Sequence, residues 1–223
     1  MELKGKKVVF LGDSITEGVG VSNLENRYDN RLKRMLSLGE AVNFGLSGTR
    51  FAYQTKPSPC PSFDLYFCGR SMNMDKDADV VIVYGAVNDY IHGDAPMGTE
   101  DDRLPNTFRG ATHRLMKYLT EEYKGKPIVF MTPARCHFAG FSDEEVSKNS
   151  FKAPDAKPLL EYVDIINNTA KLYGVHVLDL YRNLPINPNI PEDSDKYTAD
   201  GLHFNDEGHR VLAETLADFL KKI

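Results

Sequence analysis

Four separated places in the chain carry groups able to perform acyl transfer together: Ser14, Gly48, Asn88 and the Asp200/His203 pair. A serine hydroxyl is a weak nucleophile until a base takes its proton, and a histidine oriented by a carboxylate does this at neutral pH. Asp200-Gly201-Leu202-His203 supplies both, because a carboxylate three residues upstream in a turn can accept from imidazole Nδ1 and leave Nε2 facing Ser14. Negative charge developing on a carbonyl oxygen also needs donors aimed at it. Gly48, in Asn43-Phe44-Gly45-Leu46-Ser47-Gly48-Thr49, offers a backbone N–H with no side chain in the way. Asn88, in Tyr84-Gly85-Ala86-Val87-Asn88-Asp89, offers an amide NH2. Taken singly, each has a plainer explanation: Ser14 as a helix cap, Gly48 as a turn glycine, Asn88 as an Asx turn, His203 as a surface residue.

These groups can cooperate only if the fold brings them to one rim. Lys7-Val8-Val9-Phe10-Leu11-Gly12 runs as a short apolar strand straight into Asp13 and Ser14, which places the hydroxyl at the strand's carboxyl end. Similar runs recur at Val8 to Leu11, Ala41 to Phe44, Val80 to Tyr84, Ile128 to Met131 and Val175 to Leu180. Their continuous hydrophobicity predicts parallel strands buried on both faces. Helices are expected at Tyr28 to Leu38, Thr107 to Tyr123, Leu159 to Tyr173 and Asp206 to Lys222, the last with Asn205 as its N-cap. The alternation predicts one domain, a three-layer α/β/α sandwich around a parallel sheet of about five strands with right-handed crossovers. Ser14, Gly48 and Asn88 then all fall at strand ends, where ligands bind in open α/β sheets. Two stretches break the rhythm, Phe51 to Asp77, with a short helix expected within Ser62 to Met72, and Cys136 to Pro158. Within them, Tyr53 to Met74 and His137 to Pro154 are expected to wall the pocket.

Composition narrows the function classes. The 223 residues are 41% hydrophobic with a net charge of -5, and no Lys/Arg run marks a nucleic-acid or anionic-membrane surface. Cys60, Cys68 and Cys136 form no close-spaced pair, so neither a disulfide framework nor a zinc site is predicted. The first residues pass directly into a strand-like run too short for a signal-peptide core or a membrane span, which makes a cytoplasmic protein the expectation. P-loop, dinucleotide and His-Glu-x-x-His patterns are lacking, and no cofactor is expected. Gly45-Leu46-Ser47-Gly48 has the wrong spacing for a Gly-x-Ser-x-Gly elbow, leaving Ser47 a weak rival to Ser14. Two further classes fit some of the same residues. Asp13, Asn88, Asp89, Asp200 and His203 suit a metal-dependent phosphoesterase, and the Gly12 to Thr16 loop suits an anion-binding module.

In their order, Ser14, Gly48, Asn88 and His203 resemble the SGNH hydrolase superfamily, the GDSL esterases and lipases. The resemblance runs from Gly12-Asp13-Ser14-Ile15 through Ser47-Gly48-Thr49 and Asn88-Asp89 to Asp200-Gly201-Leu202-His203-Phe204-Asn205. It implies a flavodoxin-like α/β/α hydrolase in which Ser14 is the nucleophile, His203 the base and Asp200 its orienter. The oxyanion hole it implies is the Ser14 N–H, the Gly48 N–H and the Asn88 side chain. One departure is visible: the family's third block is usually Gly-x-Asn-Asp, and here Ala86 stands at the glycine. The added methyl is expected to tune the substrate while Asn88 preserves catalysis. A small soluble ester, such as an O-acetylated sugar, fits better than bulk lipid. Asp13, His92 and Arg135 are the candidate substrate contacts at the rim, with Asp13 also shaping the Ser14 turn.

Overall fold

A computed structural model of the chain describes residues 1–58, 60–137, 145, 146, 148 and 152–223. Its central sheet is all parallel, with β1 (Lys7–Gly12), β2 (Glu40–Gly45), β3 (Val80–Tyr84), β4 (Ile128–Met131) and β5 (His176–Leu178) in the spatial order β2-β1-β3-β4-β5. The chain direction of winding reverses between β1 and β3, and a crevice opens there beyond the carboxyl ends of the strands. The register aligns these ends, because Gly12 of β1 pairs with Gly45 of β2 on one side and Tyr84 of β3 on the other. Residues that follow the three strands therefore emerge side by side.

Alternate residues of the buried strands feed two separate cores. Val8, Phe10, Val80 and Ile82 pack with Leu32 of α2 (Tyr28–Leu36) and with Leu212 and Leu216 of a C-terminal helix. Val9, Leu11, Val81, Val83 and Phe130 pack on the other face with Leu115 and Leu119 of α5 (Phe108–Glu122) and Ile166 of α6 (Leu159–Tyr173). Full burial of a side chain of this size stabilises by about 1.5–3 kcal/mol, so the doubled core holds β1 and β3 rigidly under the crevice. The edge strand β2 departs from the expected continuous burial, being exposed at Glu40 and half-buried beyond it, since only one neighbour covers it.

Short elements fill the connections: α1 (Ser14–Glu17), α3 (Phe67–Ser71), α4 (Val87–Ile91), α7 (Leu180–Asn183), α8 (Pro191–Tyr197) and the closing α9 (Asp206–Leu220). α2 stops at Leu36 because Ser37 turns left-handed at φ 52°. The fifth strand is shorter than its apolar run, since Asp179 accepts from the Arg182 N–H and starts α7. The helix expected within Ser62 to Met72 is broken into a 3-10 turn, Pro61–Asp64, and α3, because Tyr66 is extended and bridges to Arg50. Of Cys136 to Pro158, residues 138–144, 147 and 149–151 lie outside the described residues. Among the described residues, no helix is long and apolar enough to cross a membrane.

Candidate active site

The turn from β1 into α1 sets the position of Ser14. Gly12 has no room for a side chain, as a Cβ there would overlap the Thr16 side chain, and Asp13 caps the helix by accepting from the Ile15 N–H at 3.0 Å. Asp13 thus takes the cap and Ser14 becomes the first helical residue, whose N–H is among the donors a helix start leaves unpaired. Its side chain stands nearly buried at the rim, and His203 Nε2 lies 2.9 Å from Ser14 Oγ.

His203 arrives from the opposite end of the chain on a turn organised by Asp200. One carboxylate oxygen of Asp200 accepts from the backbone N–H groups of Leu202 (3.0 Å) and His203 (2.7 Å), and the other faces His203 Nδ1 at 2.6 Å. Partial burial works against the Asp200 charge, but the hydrogen bonds from His203 outweigh it and hold the carboxyl below its usual range. With its Nδ1–H donating a hydrogen bond to that carboxylate, His203 presents the Nε2 lone pair to the Ser14 hydroxyl. Gly201 permits the turn at φ 81°, and its carbonyl receives the His137 N–H. Asn205 then caps α9 through the Glu207 and Gly208 N–H groups, as expected from the sequence. Asp206 ties this end to the Ser14 side, accepting from the Ser22 backbone at 2.9 Å and from Asn26 Nδ2 at 3.0 Å.

Gly48 and Asn88 converge on the same cleft. Gly48 sits at φ 74° beneath the Phe63 ring, where a Cβ would approach ring carbons to 2.3 Å. Asn88, on α4, donates from Nδ2 to the Thr49 carbonyl at 3.0 Å, which leaves its second amide proton available. Arg70 on α3 braces the floor by donating to the Gly12 carbonyl (3.0 Å), Thr49 Oγ1 (2.7 Å) and the Phe44 carbonyl. Ser14, Gly48, Asn88 and His203, with Phe63 and Leu202, border a cavity of about 280 Å³. Phe63 and His92 separate it from a neighbouring cavity of about 390 Å³ that reaches Gln54, Ser58 and Asp94.

The remaining predicted residues are placed differently. Asp13 is 1% exposed and offers no surface to a substrate. Burial pushes its carboxyl up to about 7, against the Ile15 N–H and the nearby His203 and Arg70. His92 borders the cleft, but both ring nitrogens are engaged within the protein, with Arg50 at 2.8 Å and Asn88 Oδ1 at 3.1 Å. Arg135 lies over the Tyr181 ring, 5.3 Å from its centroid, and does not line the cleft. Ala86 is fully buried in the core at φ 78°, so its methyl packs away from the cleft whose substrate it was expected to tune. Ser47 gives its hydroxyl to Glu17. Asp89 turns both oxygens to the backbone N–H groups of Phe51 (2.8 Å) and Ala52 (2.9 Å), which removes it from any metal set with Asp200. Among the described residues, no three His, Cys, Asp or Glu side chains are grouped to hold a metal ion. Sequence reasoning missed Arg50 and Arg70, whose roles depend on loops crossing in space rather than on any local pattern.

Known proteins share this arrangement of elements. A structure of a protein from Lactobacillus plantarum superposes with a TM-score of 0.82 at 29% identity, covering 99% of this chain and 98% of that one. A carbohydrate acetylesterase family member from Sinorhizobium meliloti superposes with a TM-score of 0.64 at 16% identity over 97% of this chain and 98% of its own, a likeness of fold. An acetylxylan esterase from Xylanibacter ruminicola is 26% identical over 96% of this chain, which spans 43% of that relative's length. Residues 10–211, from β1 into α9, match the GDSL-like Lipase/Acylhydrolase family, and the chain belongs to that family.

Proposed function

We propose that the protein hydrolyses short-acyl carboxylic esters, O-acetylated carbohydrates foremost, through a covalent acyl-enzyme. The observation that carries this is the unbroken line from Asp200 through His203 to Ser14, at 2.6 and 2.9 Å, opening on the Gly48 and Asn88 donors. His203 Nε2 takes the Ser14 proton as Oγ bonds to the carbonyl carbon, and the oxyanion is met by the Ser14 and Gly48 N–H groups and the Asn88 amide. Collapse of the tetrahedral adduct breaks the bond to the leaving oxygen, which receives the proton from Nε2. Water then attacks the acyl carbon with His203 again as base, and Ser14 leaves protonated. Asp200 keeps the imidazole in the tautomer that both halves require.

Two considerations favour a small acyl group. The cleft of about 280 Å³ lies at the small end of the range of pockets that enclose a drug-sized molecule. The relative from Xylanibacter ruminicola is an acetylxylan esterase. The test is a panel of p-nitrophenyl esters from acetate to decanoate, together with acetylated xylo-oligosaccharides, on wild type and Ser14→Ala. The expected outcome is turnover that falls with acyl length, acetate released from the sugars, and none of either with Ser14→Ala. Turnover that survives Ser14→Ala refutes the mechanism, and a preference for decanoate refutes the substrate class.

A further inference from the structure

Asn88 belongs to a closed ring of hydrogen bonds that the proposed mechanism does not use. Its Nδ2 donates to the Thr49 carbonyl at 3.0 Å, and its Oδ1 lies 3.1 Å from His92 Nε2. His92 Nδ1 in turn lies 2.8 Å from Arg50 NH1, and Arg50 is joined to Thr49 by the next peptide bond. The chemistry of the groups fixes every direction in this ring. A guanidinium only donates, so His92 Nδ1 accepts, Nε2 carries the proton, and Asn88 Oδ1 accepts from it. The Thr49 carbonyl independently requires the amide nitrogen on its own side, so both contacts assign Asn88 the same orientation.

The surroundings keep the ring in this state. Arg50 is 2% exposed and donates through NH2 to the Phe63 carbonyl (2.6 Å) and Asp64 (3.2 Å), so its position is set by the wall of the cleft. Burial, with Arg50 and Lys152 nearby, lowers His92 to about 4 and keeps the imidazole neutral across the working range. A terminal amide torsion is broad, and Asn88 with a single anchor would sample orientations that turn its free N–H out of the cleft. A donor that must reorient during the reaction loses much of its value to an oxyanion. Polarisation from the guanidinium through the imidazole also draws electron density toward Oδ1, which makes the remaining N–H a stronger donor.

We infer that Arg50 and His92 are positioning residues that lock and polarise the Asn88 amide as an oxyanion donor. The inference rests on the proposed role of Asn88 in ester hydrolysis. Full removal of an oxyanion donor lowers turnover about 10²- to 10³-fold, and losing only its orientation should take roughly tenfold to a hundredfold of that.

The experiment uses p-nitrophenyl acetate and the purified protein. His92→Leu should lower kcat roughly tenfold to a hundredfold with KM within about twofold, the split that marks an interaction made in the transition state. His92→Gln should regain most of the rate, because its amide can donate to Asn88 and accept from Arg50. Combined with Asn88→Ala, His92→Leu should lower kcat no further, since the group it positions is gone. Full additivity of the two substitutions, or His92→Gln as impaired as His92→Leu, overturns the inference. If His92→Leu does not fold, Arg50→Lys and Arg50→Met make the comparison, and equal kcat for those two overturns it. Activity that survives Ser14→Ala would instead overturn the underlying mechanism, so the two failures are told apart.

Discussion

Replacing Asp13 by Asn should stabilise the protein, and by an amount that grows with pH. The Asp13 carboxyl is 1% exposed, one oxygen caps α1, and Oδ2 is buried without a hydrogen-bond partner. Burial raises it from an ordinary 3.8 to about 7. Between those values the folded protein holds a proton that the unfolded chain has released, so stability falls as pH rises through the window and the full penalty stands above it. The corresponding free energies are roughly 2 kcal/mol at pH 5 and roughly 4 kcal/mol at pH 8. Asn keeps the acceptor for the Ile15 N–H and carries no charge, and the other titrating groups are common to both proteins and cancel in the difference. Urea unfolding of wild type and Asp13→Asn at pH 5 and pH 8 should therefore show the advantage of the variant growing by roughly 2 to 3 kcal/mol between the two. Above pH 7, where the wild-type carboxyl is charged, turnover should move the opposite way, because the variant removes a negative charge close to His203. A stability difference that does not change with pH refutes the reasoning.

Other expectations are checked by simpler measurements. Asn88→Ala should lower kcat about 10²- to 10³-fold on p-nitrophenyl acetate while still folding, with a melting temperature lowered by the loss of its bonds to the Thr49 carbonyl and His92. Gly48→Ala forces a side chain into a left-handed backbone and against Phe63, so it should lose roughly 1–2 kcal/mol to strain alone and more than tenfold in kcat. Ala86→Gly relieves a strained φ but gives up a buried methyl and loosens the unfolded chain, terms of about 1 kcal/mol each that oppose one another. Its melting temperature should shift by a few degrees at most, and its ester profile should match wild type within about twofold. His209 is buried and lowered from 6.5 to about 4, so the stability it confers is present above 6.5 and lost as pH falls through 4. His209→Gln should accordingly lose less stability than wild type between pH 7 and pH 4 in denaturant unfolding.

Much of the frame was legible because it depends on local chemistry. Val80 to Tyr84 and Ile128 to Met131 are strands at the limits their apolar runs predict, and Asn205 caps the helix it precedes. The Asp200/His203 turn was also readable, since three residues of separation suffice to close it. Side chains whose partners come from distant loops were not. His92 read as a rim residue free to meet a leaving group, yet its neighbours arrive from Arg50, 42 positions earlier, and from one helical turn below. Arg135 follows a strand at the correct rim, but Tyr181 draws its guanidinium away. Ser14 and Asp13 compete for the cap of a four-residue helix, and composition alone does not decide between adjacent cap formers.

The two partners of the shortest path for the proton, Ser14 and His203, stand 189 positions apart in the chain. At the ribosome's pace of about 5–20 residues per second, Ser14, the proposed nucleophile, is made roughly ten to forty seconds before His203, its proposed base. A nascent chain that already holds Ser14, Gly48 and Asn88 still lacks the group proposed to take the proton. On the proposed mechanism, hydrolysis requires the Asp200/His203 turn and α9 to have been made, and a polypeptide truncated before Asp200 should remain inert toward the esters around it. Mixing such a fragment with the missing C-terminal segment would turn the appearance of activity into a direct clock for the docking of α9.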